Sequence, residues 1–181
     1  MKPLLWRIPL GSLAIVELLS AFDVIALQPV FTDIGLLMIT VIVWLILELT
    51  RKLVLPTTTI ILGVVNTYLD ALGDYLHWYD TVPYYDMYLH LLGTGAVTAF
   101  LWFVLRTWKP TITTIVISLL ATTGSICAGV LYEIEEYLED VITGSHRLGD
   151  GPDTASDLLM NTLGAVIIGV VLHWHHHRTE R

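Results

Sequence analysis

The sequence predicts an all-α polytopic membrane protein, on three observations. Hydrophobic residues make up 55% of the 181-residue chain and charged residues 14%, whereas a soluble domain carries about 25% charged residues. Several apolar stretches approach the roughly 20 residues that a helix needs to span a bilayer. Their apolar residues run continuously instead of alternating, which selects helices over barrel strands. Mean hydropathy is +0.70. The six transmembrane helices are expected near 8–27, 30–49, 56–78, 87–108, 111–132 and 154–174. The expected organisation is a single transmembrane domain over 1–181. Two peripheral helices lie in 1–52, and helices 3–6 form a four-helix bundle in 53–175 with a polar outer cavity.

The first two spans read as packing elements, with Glu17 and Asp23 as their polar contribution. Glu17 interrupts the first apolar run, so that run reads as a span and not as a cleaved leader. Basic residues set the orientation. Lys2, Arg7, Arg51, Lys52, Arg106, Lys109, Arg178 and Arg181 all fall on one side of an even-numbered set of spans, and only Arg147 falls on the other. By the positive-inside rule both termini are cytoplasmic, in a plasma or inner membrane. Of the 17 acidic residues, all but Glu17, Glu48 and Glu180 fall outside. The net charge of −8 reflects that asymmetry and argues against a nucleic-acid partner. The single cysteine, Cys127, excludes an intrachain disulfide and leaves no basis for a thiolate metal site.

The remaining spans each carry a polar stripe at steps of three or four residues, the spacing that lines one helix face. The third carries Thr59, Gly63, Asn66, Asp70, Asp74 and His77. The fourth opens with Asp86 and His90, one turn apart. The fifth carries Ser118, Thr122, Ser125, Gly129, Glu133, Glu136 and Asp140, and the sixth opens with Asp153 and Asp157, followed by Asn161 and Gly164. In every case the charges gather at the outer end, while small residues that let helices approach closely continue inward.

Plainer roles compete for some of these residues. Asp153 is placed to cap the sixth helix, Asp86 suits the positive end of a helix dipole, and His77 belongs equally well to an aromatic belt with Trp78 and Tyr79. Asp80, Glu135, Glu139 and Asp150 read as solvated. Asp70, Asp74, Glu133 and Glu136 resist such readings. They sit toward helix C-termini, where the dipole opposes negative charge, and a carboxylate inside a bilayer costs a few kcal/mol. They must be protonated, hydrated or bound to metal. Bundle cores hold metals with carboxylates and histidines projecting inward from facing helices. The expected metal ligands are Asp70, His77, Asp86, His90, Glu133, Glu136, Asp153 and Asp157, with Glu136 or Asp74 as a general base. An oxygen-rich set with one or two imidazoles favours zinc, manganese or iron over magnesium or calcium. The run His173-Trp174-His175-His176-His177 reads as a polar helix end.

These motifs also carry a family resemblance. Asp86-Met-Tyr-Leu-His90 resembles the D-x-x-x-H-F element of VanZ-like proteins and of inner-membrane proteins of the YjdF type. Tyr132-Glu133-Ile134-Glu135-Glu136-Tyr137 is similar to the YjdF-type E-x-x-E-W element. Gly149-Asp150-Gly151-Pro152-Asp153-Thr154-Ala155-Ser156-Asp157-Leu158 is similar to its G-D-x-x-D-T-x-x-D-M element. Asn161 and Gly164-Ala165 match D-x-x-x-N-x-x-G. Leu91 departs from the usual aromatic, and no basic residue follows Asp86. Over about 66–170 the resemblance implies that Asp86, His90, Glu133, Glu136, Asp153 and Asp157 form a shared polar centre. It implies no reaction; the VanZ-like side points to the cell envelope.

Three functions follow. The first is a metal-dependent hydrolase or transferase acting on a lipid or lipid-linked envelope substrate. The second is a proton- or cation-coupled transporter or channel, with a path through Asn66, Thr59, Ser125, Ser118 and Glu17. The third is a metal-stabilised, non-catalytic subunit of a membrane complex. The lipid bilayer is the one partner common to all three, and oligomeric state is left open.

Overall fold

The structure, a computed structural model, describes residues 7–22, 30–49 and 55–179. Lys2, Asp23, Arg51, Lys52, Glu180 and Arg181, which entered the orientation argument, lie outside the described residues. The described secondary structure is helical throughout: α1 (Arg7–Ala21), α2 (Val30–Leu49), α3 (Thr57–Tyr75), α4 (Trp78–Thr81), α5 (Tyr85–Trp108), α6 (Thr114–Thr143) and α7 (Gly151–Thr179). Among the described residues, α5, α6 and α7 are long and apolar enough to cross a membrane, and a shorter apolar stretch, Leu36–Glu48, lies in α2. The described length of α1 is only 15 residues, and Asn66, Asp70 and Asp74 dilute the apolar content of α3.

Packing divides the chain into two compact units, one ending at Tyr85 and one beginning at Asp86. In the first, α1 packs against α2 and α3. Arg7 Nη2 lies 2.6 Å from Glu48 Oε1, and the Thr40 hydroxyl donates to Glu17 Oε1 at 3.1 Å. Glu17 is therefore a buried carboxylate with a hydroxyl partner on the neighbouring helix. Tyr68 on α3 reaches Ser12 on α1. Thus α3, expected in a bundle starting at 53, packs with α1 in the first unit.

The third helix also ends earlier than the continuous apolar run suggests. His77 adopts a left-handed conformation (φ 54, ψ 38) between α3 and the single turn of α4. That conformation is costly for a residue with a Cβ. The turn folds the aromatic segment back on α3. Tyr79 donates its hydroxyl proton to Asp70, and Tyr85 donates to the Leu69 carbonyl at 2.7 Å. The Tyr79 and Tyr85 rings meet edge to face at 5.3 Å.

The second unit runs α5 up, α6 down and α7 up. Small residues set its interhelical distances, as expected where there is no hydrophobic drive between helices in lipid. A Cβ on Gly164 of α7 would fall 2.1 Å from the Leu91 carbonyl oxygen of α5, so only glycine permits that approach. Ser125 of α6 donates to the Thr94 carbonyl of α5 at 2.7 Å, and Trp102 Nε1 donates to Ser118 Oγ at 3.0 Å. Trp102, Ile117 and Ala121 form the apolar core at the end of the unit that holds the α5–α6 connection. Outward, Leu119, Leu120, Leu131, Ile167, Val170 and Val171 are exposed, which suits a lipid-facing surface.

Candidate metal centre

At the other end of the second unit all three long helices contribute to one polar cluster. Asp86 and His90 are one turn apart on α5, and His90 Nε2 lies 3.3 Å from Asp86 Oδ1. From α7, Asp157 Oδ1 lies 4.0 Å from the same nitrogen. From α6, Glu133 Oε1 lies 3.6 Å from His90 Nδ1. His90, Glu133, Glu136 and Asp157 are all buried, and Asp86 is half-buried. Two triads able to offer convergent ligand atoms result, Asp86–His90–Asp157 and His90–Glu133–Glu136, with His90 common to both.

Asn161, one turn after Asp157, places Oδ1 3.2 Å from His90 Nδ1. An amide oxygen only accepts, so in this arrangement Nδ1 carries a proton, and Nε2 faces Asp86 and Asp157. A hydrogen bond to the second ring nitrogen is the usual way a ligand histidine is oriented. Gly129 of α6 makes room for the amide, because a Cβ there would lie 2.8 Å from Asn161 Cγ. The Tyr132 ring meets His90 edge-on at 5.7 Å and closes another side of the imidazole.

The cluster carries a deficit of positive charge. Arg147 is the only Lys or Arg between Lys109 and Arg178. The loop after α6 turns it inward. Gly144 ends the helix in a left-handed conformation, and the Asp140 carboxylate accepts from Ser145 Oγ, Arg147 N and Leu148 N. The guanidinium then lies 3.5 Å from Glu136 Oε1 and 3.7 Å from Glu139 Oε2, and donates to the Tyr132 hydroxyl at 3.2 Å. Arg147 thus serves the Glu136 and Glu139 side of the cluster. On the His90 side, both oxygens of Glu133, Oδ1 of Asp157 and Nδ2 of Asn161 are buried without a hydrogen-bond partner. Buried polar atoms are almost always paired. Carboxylate oxygens without a hydrogen-bond partner around one imidazole form a donor set suited to a divalent cation, one nitrogen with several oxygens and no thiolate. Cys127 is exposed.

The other residues singled out from the sequence are placed as follows. Asp153 is half-buried in the first turn of α7 and belongs to neither triad. It does not cap the helix. Asp150 does so, accepting from Asp153 N at 3.0 Å through its side chain. Asp70, Asp74 and His77 lie in the first unit. Asp70 is buried with Tyr79 as donor, Asp74 is half-buried and His77 is exposed. Glu139, expected in solvent, is fully buried, because the i, i+3 step from Glu136 keeps it on the inner face beside Arg147. Asp80 and Asp150 are exposed, and Glu135 is half-buried. Asn161, Tyr132 and Arg147 were not among the expected site residues. Asn161 had a signal: it continues the Asp153–Asp157 stripe at i+4.

Residues 5–178 match the family described as predicted membrane protein (DUF2238), and the chain belongs to that family. It is also 26% identical over 108 residues to an uncharacterised protein of Thermotoga maritima, a match covering 57% of this chain and 55% of that protein. The matched region spans about half the length of that curated relative. No solved structure matches.

Proposed function

We propose that this member of a membrane-protein family binds a divalent metal ion at His90 Nε2, with Asp86 and Asp157 as carboxylate ligands and Glu133 beside them. One observation carries the reading. A buried imidazole, oriented by Asn161, faces carboxylates whose buried oxygens have no protein partner, while Arg147 lies against Glu136 and Glu139. The similarity to YjdF-type proteins supports it, since the motif residues Asp86, His90, Glu133, Glu136 and Asp157 are the ones that converge. Zinc, manganese and iron suit the donors better than magnesium or calcium.

The function best supported is metal-dependent hydrolysis or group transfer on a lipid or lipid-linked substrate. A bound divalent ion would activate water or polarise a phosphoryl or carbonyl oxygen. Glu133, with both oxygens unpaired, is the residue placed to take a proton. Glu136 is instead held by Arg147 and positions that loop. The more distant VanZ-like resemblance favours an envelope substrate. In the proposed topology the chain has six spans with both termini in the cytoplasm of a bacterial-type plasma membrane, and the cluster faces outward. Transport is the weaker reading, because the interior beyond the cluster is filled: Thr98, Ala121, Ser125 and Ala165 are each 0% exposed. The third reading, a metal-stabilised subunit of a complex, shares the metal site and differs only in lacking turnover.

Thermal unfolding of the detergent-solubilised chain tests the metal. An ion that binds only the folded state at 100 times its Kd stabilises by about 2.7 kcal/mol. Chelator should lower the wild-type melting temperature to that of His90→Ala and leave the variant unchanged. Melting that ignores both chelator and added metal would remove the proposal.

A further inference from the structure

The charge around His90 governs what kind of group can approach it. Asp86, Glu133, Glu136, Glu139, Asp153 and Asp157 gather at this end of the second unit. Asp153 lies one turn before Asp157 on α7. The sequence holds no lysine or arginine in 53–105, 110–146 or 148–177. Arg106, Lys109 and Arg178 of the second unit lie at the ends of α5 and α7 away from His90. Arg147 lies beside the cluster, and its guanidinium faces Glu136 and Glu139. Six carboxylates therefore stand against one guanidinium and the two positive charges of a bound ion. His90 adds no charge, because a ring with its proton on Nδ1 and the ion on Nε2 is neutral. Protonating as many as three of the carboxylates brings the sum to zero and no further.

A phosphoryl group arrives negatively charged, and sites that transfer it supply clamps of Arg, Lys or metal ions. A like charge brought against a carboxylate cluster is rejected strongly. A carbonyl arrives neutral, and one divalent ion can hold the single negative charge that develops on its oxygen. Depth points the same way. The sixteen-residue steps from His90 to Arg106 and from Asp157 to His173 each rise about 24 Å. The hydrocarbon layer is about 30 Å thick. With Arg106 and His173 at one boundary, the centre lies just inside the other. That is the depth of a lipid's acyl carbonyls, and its phosphate lies further out. Exposed apolar side chains flank the ligands at this level: Tyr88 and Leu92 beside His90, Leu131 and Ile134 beside Glu133, and Leu159 beside Asp157. We propose that the centre takes an uncharged acyl carbonyl, the ester or amide of a membrane lipid, and turns a phosphoryl group away. This rests on the metal ion of the proposed function. The oxygen of water adds to the carbonyl carbon, and Glu133 takes the water's proton and passes it to the leaving oxygen or nitrogen. The bond from that atom to the acyl carbon breaks, giving a carboxylic acid and an alcohol or amine.

The purified full chain, loaded with cobalt(II) in a neutral detergent, decides it. Elemental analysis first gives the metal content. A folded chain that takes up no ion removes the metal site and this inference with it, whereas a loaded chain isolates the choice of group. Decanohydroxamic acid, which presents a neutral carbonyl oxygen, and decylphosphonic acid are then titrated separately. Binding is read from the visible spectrum of the cobalt ion, which reports ligation and not uptake into the micelle. The hydroxamate should bind saturably. Its preference over the phosphonate should exceed that of free cobalt(II) in the same detergent by about tenfold or more. Asp153→Asn removes a charge and no proposed ligand, so it should tighten phosphonate binding about fivefold and leave the hydroxamate unchanged. The wild-type comparison decides the matter should that variant fail to fold. The proposal is overturned by a loaded chain that does not ligate the hydroxamate, or by a preference no greater than that of the free ion. Phosphonate binding to folded Asp153→Asn equal to that of wild type overturns it as well.

Discussion

Replacing Gly164 by alanine should damage the metal centre without touching any ligand. The added Cβ would lie 2.1 Å from the Leu91 carbonyl oxygen and 2.7 Å from Thr94 Oγ1. Thr94 can rotate, but Leu91 O is backbone in mid-helix and cannot. Reaching a tolerable contact of about 3 Å therefore requires α5 and α7 to separate locally by about 1 Å, and overpacking of this kind typically costs about 1–3 kcal/mol. In a chain of this size that lowers the melting temperature by about 2–4 °C per kcal/mol. Leu91 adjoins His90, so the same displacement stretches the 3.2 Å His90–Asn161 hydrogen bond beyond useful range. Loss of such an outer partner usually weakens metal affinity about 10–100-fold. Gly63→Ala is the matched control: nothing lies within 4 Å of its added Cβ, and a helical Gly→Ala change there should be neutral or stabilising by about 0.5–1 kcal/mol. The assay is a competition titration of metal on each purified variant together with its melting curve. Wild-type affinity and melting temperature in Gly164→Ala would refute the close α5–α7 approach and its role in holding His90.

Three further outcomes are expected. Arg147→Gln strips the cation from buried Glu136 and Glu139, so unfolding in detergent should show a loss of about 3–5 kcal/mol, the cost of breaking a buried ion pair by removing one partner. Asp150→Ala removes the cap of α7 and should cost about 1 kcal/mol, with metal affinity within a factor of two or so of wild type; a larger loss of metal would show that the cap and the centre are coupled. For the proposed topology, single cysteines at positions 80 and 148 in a Cys127→Ser background should be labelled from outside intact cells, and those at 2 and 179 should not; the reverse pattern would turn the cluster toward the cytoplasm.

Much of the cluster could be read from spacing, because Asp86–His90, Glu133–Glu136 and Asp157–Asn161 are all steps of three or four residues on helices that the apolar pattern already delimits. What spacing cannot convey is which groups serve each other. Asn161 reads as one more polar residue on a stripe until Gly129 is seen to make room for it against His90. Glu139 reads as solvated, yet the loop fixed by Asp140 turns Arg147 back over it. Asp153 reads as the cap and Asp150 as solvated, and only the folded backbone shows that Asp150 takes the capping role. The end of α3 departs from the expected span for a related reason. Apolarity continues through Leu76, but the Tyr79 and Tyr85 contacts outweigh local periodicity and hold His77 in a left-handed turn.

The central claim is that a divalent ion sits on His90 among carboxylates from three helices. Elemental analysis of chain purified without added metal, for wild type, His90→Ala and Asp157→Asn, tests it most directly. The account predicts a stoichiometric transition metal in the wild type and its loss from both variants, with all three folded by circular dichroism. Metal-free, folded wild type that takes up none on addition, or equal metal content in all three proteins, would contradict it.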